Sequence, residues 1–91
     1  MKDPGTLKEI IMDFERIVSA FEKAYGPGTG RVKCMTVLPG VMGDFLKMTA
    51  SAAPGRRVRE EYRLDDGRGA LILEGPGGGG PEDVRVEFRP A

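Results

Sequence analysis

Arginine is the residue type whose spacing in this chain best supports a chemical role. Five arginines recur at alternate positions of two segments that are predicted as strands: Arg57, Arg59, Arg63, Arg85 and Arg89. Side chains two residues apart on a strand lie on the same face of the sheet. The spacing therefore predicts a row of guanidinium groups that could contact the phosphates of an RNA or the carboxylates of an acidic protein.

Glutamates share this predicted face, at Glu61, Glu74 and Glu87. Alternating opposite charges are typical of a solvated sheet with surface ion pairs. The whole chain carries 14 Lys and Arg against 14 Asp and Glu, whereas proteins that bind nucleic acid usually carry a basic excess. Zero net charge therefore disfavours a nucleic-acid partner, and a solvated face is the favoured interpretation.

Catalytic and metal-binding side chains are scarce. The chain has no histidine and a single cysteine, Cys34. Histidine is the commonest general base near neutral pH and the commonest metal ligand, and one cysteine cannot form the usual zinc sets or an internal disulfide. We therefore predict no catalytic residue, no metal and no cofactor, and the sequence leans against an enzyme.

Glu60 is the carboxylate whose predicted position best fits a functional role. Strand alternation would aim it at the same face as Tyr62, beside Leu73, where a carboxylate has a perturbed pKa or a buried partner. The alternative is that Glu60 lies at the sheet edge and reaches water. A small-molecule enzyme would need Glu60 or Asp44 in a pocket beside the methionines.

The segment 26–31 reads Gly-Pro-Gly-Thr-Gly-Arg and has part of the composition of a phosphate-binding loop. Such a loop follows a strand and opens a helix, so that backbone N–H groups face the phosphates. Here the segment is predicted to end a helix and open a strand, so we interpret it as a turn.

Hydrophobic spacing predicts the elements that would position these residues. Thr6-Leu7-Lys8-Glu9 fits a capping box, and an apolar stripe at helical spacing then runs to Tyr25. A strand is predicted over 31–38, with apolar residues on both faces; Pro39-Gly40 would end it, and a second helix is predicted over 41–53. Alternation then predicts a strand over 56–64, a hairpin turn at Asp66-Gly67, its partner strand, and a last strand over 83–88. Pairing through this turn would put Tyr62 opposite Leu71 and Arg59 opposite Glu74.

The sequence therefore predicts one small domain over residues 1–91, of the α+β class, with a flexible glycine-rich loop at 75–81. The N-terminal amphipathic helix and a short second helix would pack on a four-stranded, mostly antiparallel sheet in the order α-β-(α)-β-β-β. The inward side chains would come from Leu7, Ile11, Phe14, Val18, Phe21, Val32, Cys34, Val58, Tyr62, Leu71, Leu73, Val84, Val86 and Phe88. Met35, Val37 and Ile72 would lie in the middle of the outer face, among the arginines.

An apolar strip on the outer face needs a cover, and small domains leave much apolar surface exposed. We therefore expect self-association or a protein partner, with the strand arginines, Met35, Val37 and Ile72 as the candidate interaction surface. The favoured function is a non-catalytic protein-interaction or assembly module. The alternative is an RNA- or nucleotide-interacting domain that uses the arginines. No apolar run approaches the about 20 residues that span a bilayer, so we expect a cytoplasmic protein. The absence of Asn and Gln suits a thermophile or a GC-rich genome equally.

Overall fold

A computed structural model describes residues 14–91 of the chain, with two helices followed by three strands. The predicted capping box and the apolar residues before Phe14 lie outside the described residues. The elements are α1 (Phe14–Tyr25), α2 (Thr29–Ser51), β1 (Arg57–Arg63), β2 (Gly69–Pro76), a short 3-10 helix (Pro81–Asp83) and β3 (Arg85–Pro90). The described part of the chain is therefore α+β, as the sequence predicts.

Residues 26–28 form a turn between two helices. Residues 29–31 already belong to α2, so the prediction that this segment opens a strand is wrong. Gly26 and Gly28 have φ of 101° and 79°, in the region that glycine adopts without strain. Gly30 lies where α1 and α2 approach closely, because a Cβ there would collide with backbone atoms of Phe21 and Glu22. These glycines let the chain reverse and bring the two helix backbones together.

The predicted strand over 31–38 is wrong, because these residues form the first half of α2. Val32, Cys34, Thr36 and Leu38 alternate as a strand would, yet the buried positions of α2 recur every three or four residues. They are Gly30, Cys34, Leu38, Met42, Phe45 and Thr49. The predicted second helix over 41–53 is the continuation of the same helix, which ends at Ser51.

Pro39 lies inside α2 without ending it. A proline in a helix interior loses one backbone hydrogen bond and costs about 3 kcal/mol. Leu38 and Phe45 on the core side are fully buried, and burial of one such side chain contributes about 1.5–3 kcal/mol. Packing on both sides of Pro39 thus outweighs the break, and Pro39 itself is exposed.

The sheet has three strands in the order β1-β2-β3, both neighbouring pairs being antiparallel. The predicted fourth strand is absent from residues 14–91 because its residues belong to α2. The predicted hairpin register is confirmed: Arg59 pairs with Glu74, and Tyr62 with Leu71. The connecting turn is closed by the N–H of Leu64 donating to the oxygen of Gly69 at 3.0 Å.

Both helices cover one face of this sheet. The core contains Phe14, Ile17, Val18, Phe21, Cys34, Leu38, Met42, Phe45, Leu64, Leu71, Leu73, Val84 and Phe88, with Val58, Tyr62 and Val86 packed against it. The rings of Phe21 and Phe88 lie 4.3 Å apart and join α1 to β3. Val32 is the wrong member of the predicted inward set, since it lies on the solvent side of α2 with 66% of its surface exposed.

The glycine-rich segment after β2 is anchored at its start. The Gly77 N–H donates to the Arg56 oxygen at 2.7 Å, and the Gly78 N–H donates to the Thr49 oxygen at 2.8 Å. A Cβ at Gly77 would collide with the Ala53 oxygen. Glycine is therefore required where the loop crosses the end of α2, and the predicted flexibility of 75–81 stays a prediction.

Candidate functional site

The outer face of the sheet, opposite the face that α1 and α2 cover, carries the predicted arginines in regular rows. The strand register gives a first row of Arg59, Glu74 and Arg85, a second row of Glu61, Ile72 and Glu87, and a third row of Arg63, Ala70 and Arg89. Arg57 lies beyond the first row, opposite Pro76. We call these ten residues, without Pro76, the sheet surface; all five predicted arginines and Ile72 belong to it.

Ion pairs connect much of the sheet surface. Arg57 Nη2 lies 3.4 Å from Glu74 Oε1, and Arg63 Nε lies 3.7 Å from Glu61 Oε2. On β3, the Arg89 Nη2 atom is 3.6 Å from an oxygen of Glu87, the residue two positions before it. All these side chains are at least a third exposed, so each pair contributes about 0–1 kcal/mol to stability.

Arg59 and Arg85 differ from the other arginines of this face. Within residues 14–91, no carboxylate lies within ion-pair distance of either guanidinium. Both line a groove of about 560 Å³ whose wall includes Glu74, Glu82 and Asp83. Arg59 and Arg85 are therefore the arginines of this surface without an ion-pair partner among residues 14–91, although carboxylates share their groove.

Ile72 does not form the exposed apolar strip that the sequence suggests. It is only 4% exposed, and Ala70 in the next row is 7% exposed. Glu61 and Glu87 flank Ile72 in register, and arginines occupy the diagonal positions. The aliphatic stems of such side chains cover apolar surface while their charged ends remain in water, so the sheet surface has little apolar area left to bury.

Met35 and Val37 lie elsewhere, because the segment that holds them is helical. Val37 packs against the core from α2, and Met35 is 39% exposed on the solvent side of the same helix. The predicted interaction surface is therefore divided. The arginines and Ile72 occupy one layer of the fold, while Met35 and Val37 occupy the other.

The solvent side of α2 carries a different kind of surface, which sequence reasoning missed. We call it the helix surface: Val32, Met35, Pro39, Gly40 and Gly43, all exposed. From Val32 to Gly43 the sole charged residue is Lys33, which is half-buried beside Tyr25. Solvent-facing helix positions are usually polar or charged. The signal was the helical spacing of Cys34, Leu38 and Met42, which leaves Val32 and Met35 outside the core.

Glu60 is half-buried on an edge strand. It shares the inner face with Tyr62, whose hydroxyl lies 3.5 Å from the sulfur of Met48. Burial raises the pKa of Tyr62, and the nearby charges of Glu60 and Asp44 raise it further. The enzyme hypothesis required Glu60 or Asp44 in a pocket beside the methionines, but the two concave sites described on residues 14–91 are lined by neither carboxylate. An inward-pointing charge on an edge strand also discourages pairing with other chains.

A polar cluster joins the hairpin turn to the ends of the helices. The Tyr25 hydroxyl donates to Asp66 Oδ1 at 3.0 Å, and Lys33 Nζ lies 3.8 Å from Asp66 Oδ2. Burial and the bond to Asp66 raise the pKa of Tyr25 to about 12. The Arg68 N–H that donates to Asp66 is the main cause that lowers the pKa of that carboxyl. Each group has a structural partner, so this cluster fixes the turn.

Cys34 is fully buried on the core side of α2. Burial raises the pKa of its thiol to about 11, which disfavours the nucleophilic thiolate near neutral pH. The thiol therefore packs as a small core group, as the sequence suggested.

Comparison of the chain with protein-family models, with curated proteins and with solved structures finds no match. Across residues 14–91, no three side chains of the types that bind metals are grouped around a common point. Neither described helix combines the length and the apolar character that crossing a membrane requires. Function is therefore argued from the sheet surface and the helix surface.

Proposed function

We propose that this protein is a non-catalytic protein-interaction module and that its helix surface binds the partner. The observation that carries the proposal is the exposure of Val32 and Met35, at 66% and 39%, on a stretch of α2 whose sole charged residue from Val32 to Gly43 is the half-buried Lys33. Burial of apolar surface is the main favourable term in protein association. The helix surface offers this gain, whereas the sheet surface has already covered Ile72.

The glycines of the helix surface support a close contact between backbones. At Gly40 and Gly43, nothing lies within 4 Å of the position a Cβ would occupy. Glycine in an exposed helix interior costs about 1 kcal/mol relative to alanine, and neither position needs it for a turn or for internal packing. A partner helix or strand that approaches α2 closely would use the space that the missing side chains leave.

Site-specific photo-crosslinking tests this proposal in the host cell. A photoreactive amino acid at Val32 or Met35 should give one or a few discrete crosslinked species. The same residue at Lys23, which is exposed on α1, is the control. Equal products from Lys23, or none from Val32 and Met35, would contradict the proposal. A product that contains only this chain would identify α2 as a self-association surface.

A second candidate function is RNA or nucleotide binding by the sheet surface. Arg59 and Arg85, which have no ion-pair partner among residues 14–91, favour it. Five arginines and three glutamates leave this surface with a charge of +2, well below the basic excess typical of nucleic-acid binders. RNA binding predicts a gel shift that weakens with salt and is lost in Arg59→Glu and Arg85→Glu. No shift at low ionic strength would remove this candidate.

A further inference from the structure

The charges of the sheet surface are arranged in a self-complementary way. The second row reads Glu61, Ile72, Glu87 and the third reads Arg63, Ala70, Arg89. Two glutamates and two arginines make the patch formed by these rows neutral. The two rows have the same layout with opposite charge at both ends and a buried apolar residue in the middle.

We propose that the sheet surface binds the sheet surface of a second copy of this chain. The two-fold axis would run across the strands, midway between the second and third rows. Glu61 then faces Arg63 of the second copy, Glu87 faces Arg89, and Ile72 faces Ala70. The symmetry repeats each contact, so the dimer gains four ion pairs between chains from side chains that already pair within each chain.

Other symmetric arrangements of the same face bring like charges together or set a charge against Ile72. An axis between the first and second rows pairs Arg59 with Glu61 and Arg85 with Glu87, but it also sets Glu74 against Ile72 and Arg57 against Arg63. A two-fold axis along β2 places β1 on β3 and sets Arg59 against Arg85 and Glu61 against Glu87. An axis through the second row sets Glu61 against its own copy and Arg59 against Arg63. Like charges across an interface suppress the pairing that brings them together, so the axis between the second and third rows is the favoured one.

The geometry of packed sheets preserves these contacts. Rows on one face are about 6.8 Å apart, and stacked sheets lie about 10 Å apart, within reach of arginine and glutamate side chains. An angle of about 30° between the sheets moves facing residues of the edge strands by about 2.4 Å, well under the row spacing. A shallow depression of about 240 Å³ lies at this place, lined in part by Glu61, Arg63, Ala70 and Arg89.

The charge pattern also indicates which partner the sheet surface binds. Glu61 and Glu87 would repel the phosphates of RNA from the second row, whereas a second copy supplies an arginine for each glutamate. The patch is small, with three strands spanning about 14 Å, so its area falls below the about 1,000 Å² of strong interfaces. We therefore expect a dimer in rapid equilibrium with monomer, held together by charges that salt screens.

Sedimentation velocity of the full chain at about 1 mM and low ionic strength tests the inference. Wild type should contain dimer, and salt at about 0.5 M should dissociate it because screening shortens the range of the ion pairs. Glu61→Arg alone and Arg63→Glu alone should each associate at least about tenfold more weakly, since each places like charges across the axis. Mixed in equal amounts, these two variants should form a heterodimer, because every facing pair is then opposite in charge.

Matched controls separate charge pattern from net charge. Arg57→Glu changes the net charge as Arg63→Glu does, yet lies outside the paired rows, and Glu82→Arg matches Glu61→Arg in the same way. Both controls should retain the dimer, and circular dichroism should show all variants folded. Monomeric wild type, equal loss in the controls, or no heterodimer in the mixture would each overturn the inference.

Two further outcomes would also overturn it. Dissociation by Val32→Lys, with the charge variants unaffected, would mean that the helix surface mediates self-association. A wild-type protein that stays monomeric and binds a polyanion would indicate that the sheet surface binds RNA and not a second copy of the chain. Val32→Lys changes the helix surface alone, so it tests the two surfaces separately. If the sheet dimer is not found, the proposal that the helix surface binds a partner is still tested by crosslinking.

Discussion

Two glycines of α2 lie in opposite environments and should respond to alanine with opposite signs. A Cβ at Gly40 would meet nothing within 4 Å, whereas a Cβ at Gly30 would collide with backbone atoms of Phe21 and Glu22. Both positions are helical, so alanine gains about 0.5–1 kcal/mol of helix preference at each. The comparison therefore isolates the packing of α1 against α2.

At Gly40, the gain should appear in full, and Gly40→Ala should stabilise the fold by about 0.5–1 kcal/mol. At Gly30, backbone atoms cannot rotate away as a flexible side chain would, so the helices must separate. Such overpacking costs about 1–3 kcal/mol, and a collision with backbone should fall in the upper half of this range, at about 2–3 kcal/mol. After subtraction of the helix gain of about 0.5–1 kcal/mol, Gly30→Ala should destabilise the fold by about 1–2.5 kcal/mol.

Urea unfolding followed by far-ultraviolet circular dichroism measures both changes. For a domain of this size the slope is about 1 kcal/mol per molar urea, so the two midpoints should differ by roughly 2 M. The sequence alone predicts a Pro39-Gly40 turn at the end of a strand, where alanine would lose the freedom of glycine. Destabilisation by Gly40→Ala would therefore refute the continuous helix, and a neutral Gly30→Ala would refute the close approach of α1 and α2.

Three further predictions test burial. Ile72→Ala should cost about 2–4 kcal/mol of stability, because Ile72 is only 4% exposed. Val32→Ala should change stability by less than about 0.5 kcal/mol, and equal costs of the two variants in thermal unfolding would contradict the burial of Ile72. Cys34, with a pKa of about 11, should resist thiol reagents in the folded protein and react fully in denaturant. In Tyr62→Phe, tyrosinate absorbance should report a pKa of about 12 for Tyr25, above its ordinary 10.0. Because folding favours the neutral phenol, stability should fall as pH rises from about 10 through 12, and a midpoint near 10 would contradict the Tyr25–Asp66 bond.

The C-terminal half of the fold is readable from the sequence because its signal has a single interpretation. Val58, Tyr62 and Leu64 alternate with charged residues, and Asp66-Gly67 fixes where the chain reverses. Once the register is set, the positions of the arginines on the sheet surface follow directly. The local pattern and the tertiary pairing agree, which is why the pairing of Arg59 with Glu74 was predictable.

The N-terminal half of α2 could not be read in the same way. A period of two fits Val32, Cys34, Thr36 and Leu38, and a helical period also fits Cys34 and Leu38. Periodicity alone therefore cannot decide between a strand and a helix for this short apolar run. Pro39-Gly40 then favours an end to the element. What decides between them is the burial of Leu38 and Phe45 on either side of Pro39, a tertiary effect with no local signal. The division of the predicted interaction surface follows from this one misassignment.

The two proposed surfaces have a joint consequence because they lie on opposite sides of a thin molecule. The smallest dimension of the chain is 18 Å, with the helix layer on one side and the sheet surface on the other. A dimer joined through the sheets would present its two helix surfaces outward, away from the axis. Each dimer could then bind two copies of a partner, and on a partner with two linked sites the second contact would form at high effective concentration.

This arrangement makes a prediction that neither surface makes alone. Arg63→Glu should leave the affinity of one helix surface for a single partner site unchanged, because that surface is not touched. The same variant should weaken binding to a partner array by about tenfold or more, which is less than the about 10²–10⁴-fold that a permanent link adds, because the dimer is in equilibrium with monomer. Surface-bound partner at low and at high density measures the two cases, once crosslinking has identified the partner. If Arg63→Glu loses the same affinity at both densities, the sheet surface contacts the partner directly. If Arg63→Glu binds as tightly as wild type at both densities, the dimer has no part in binding.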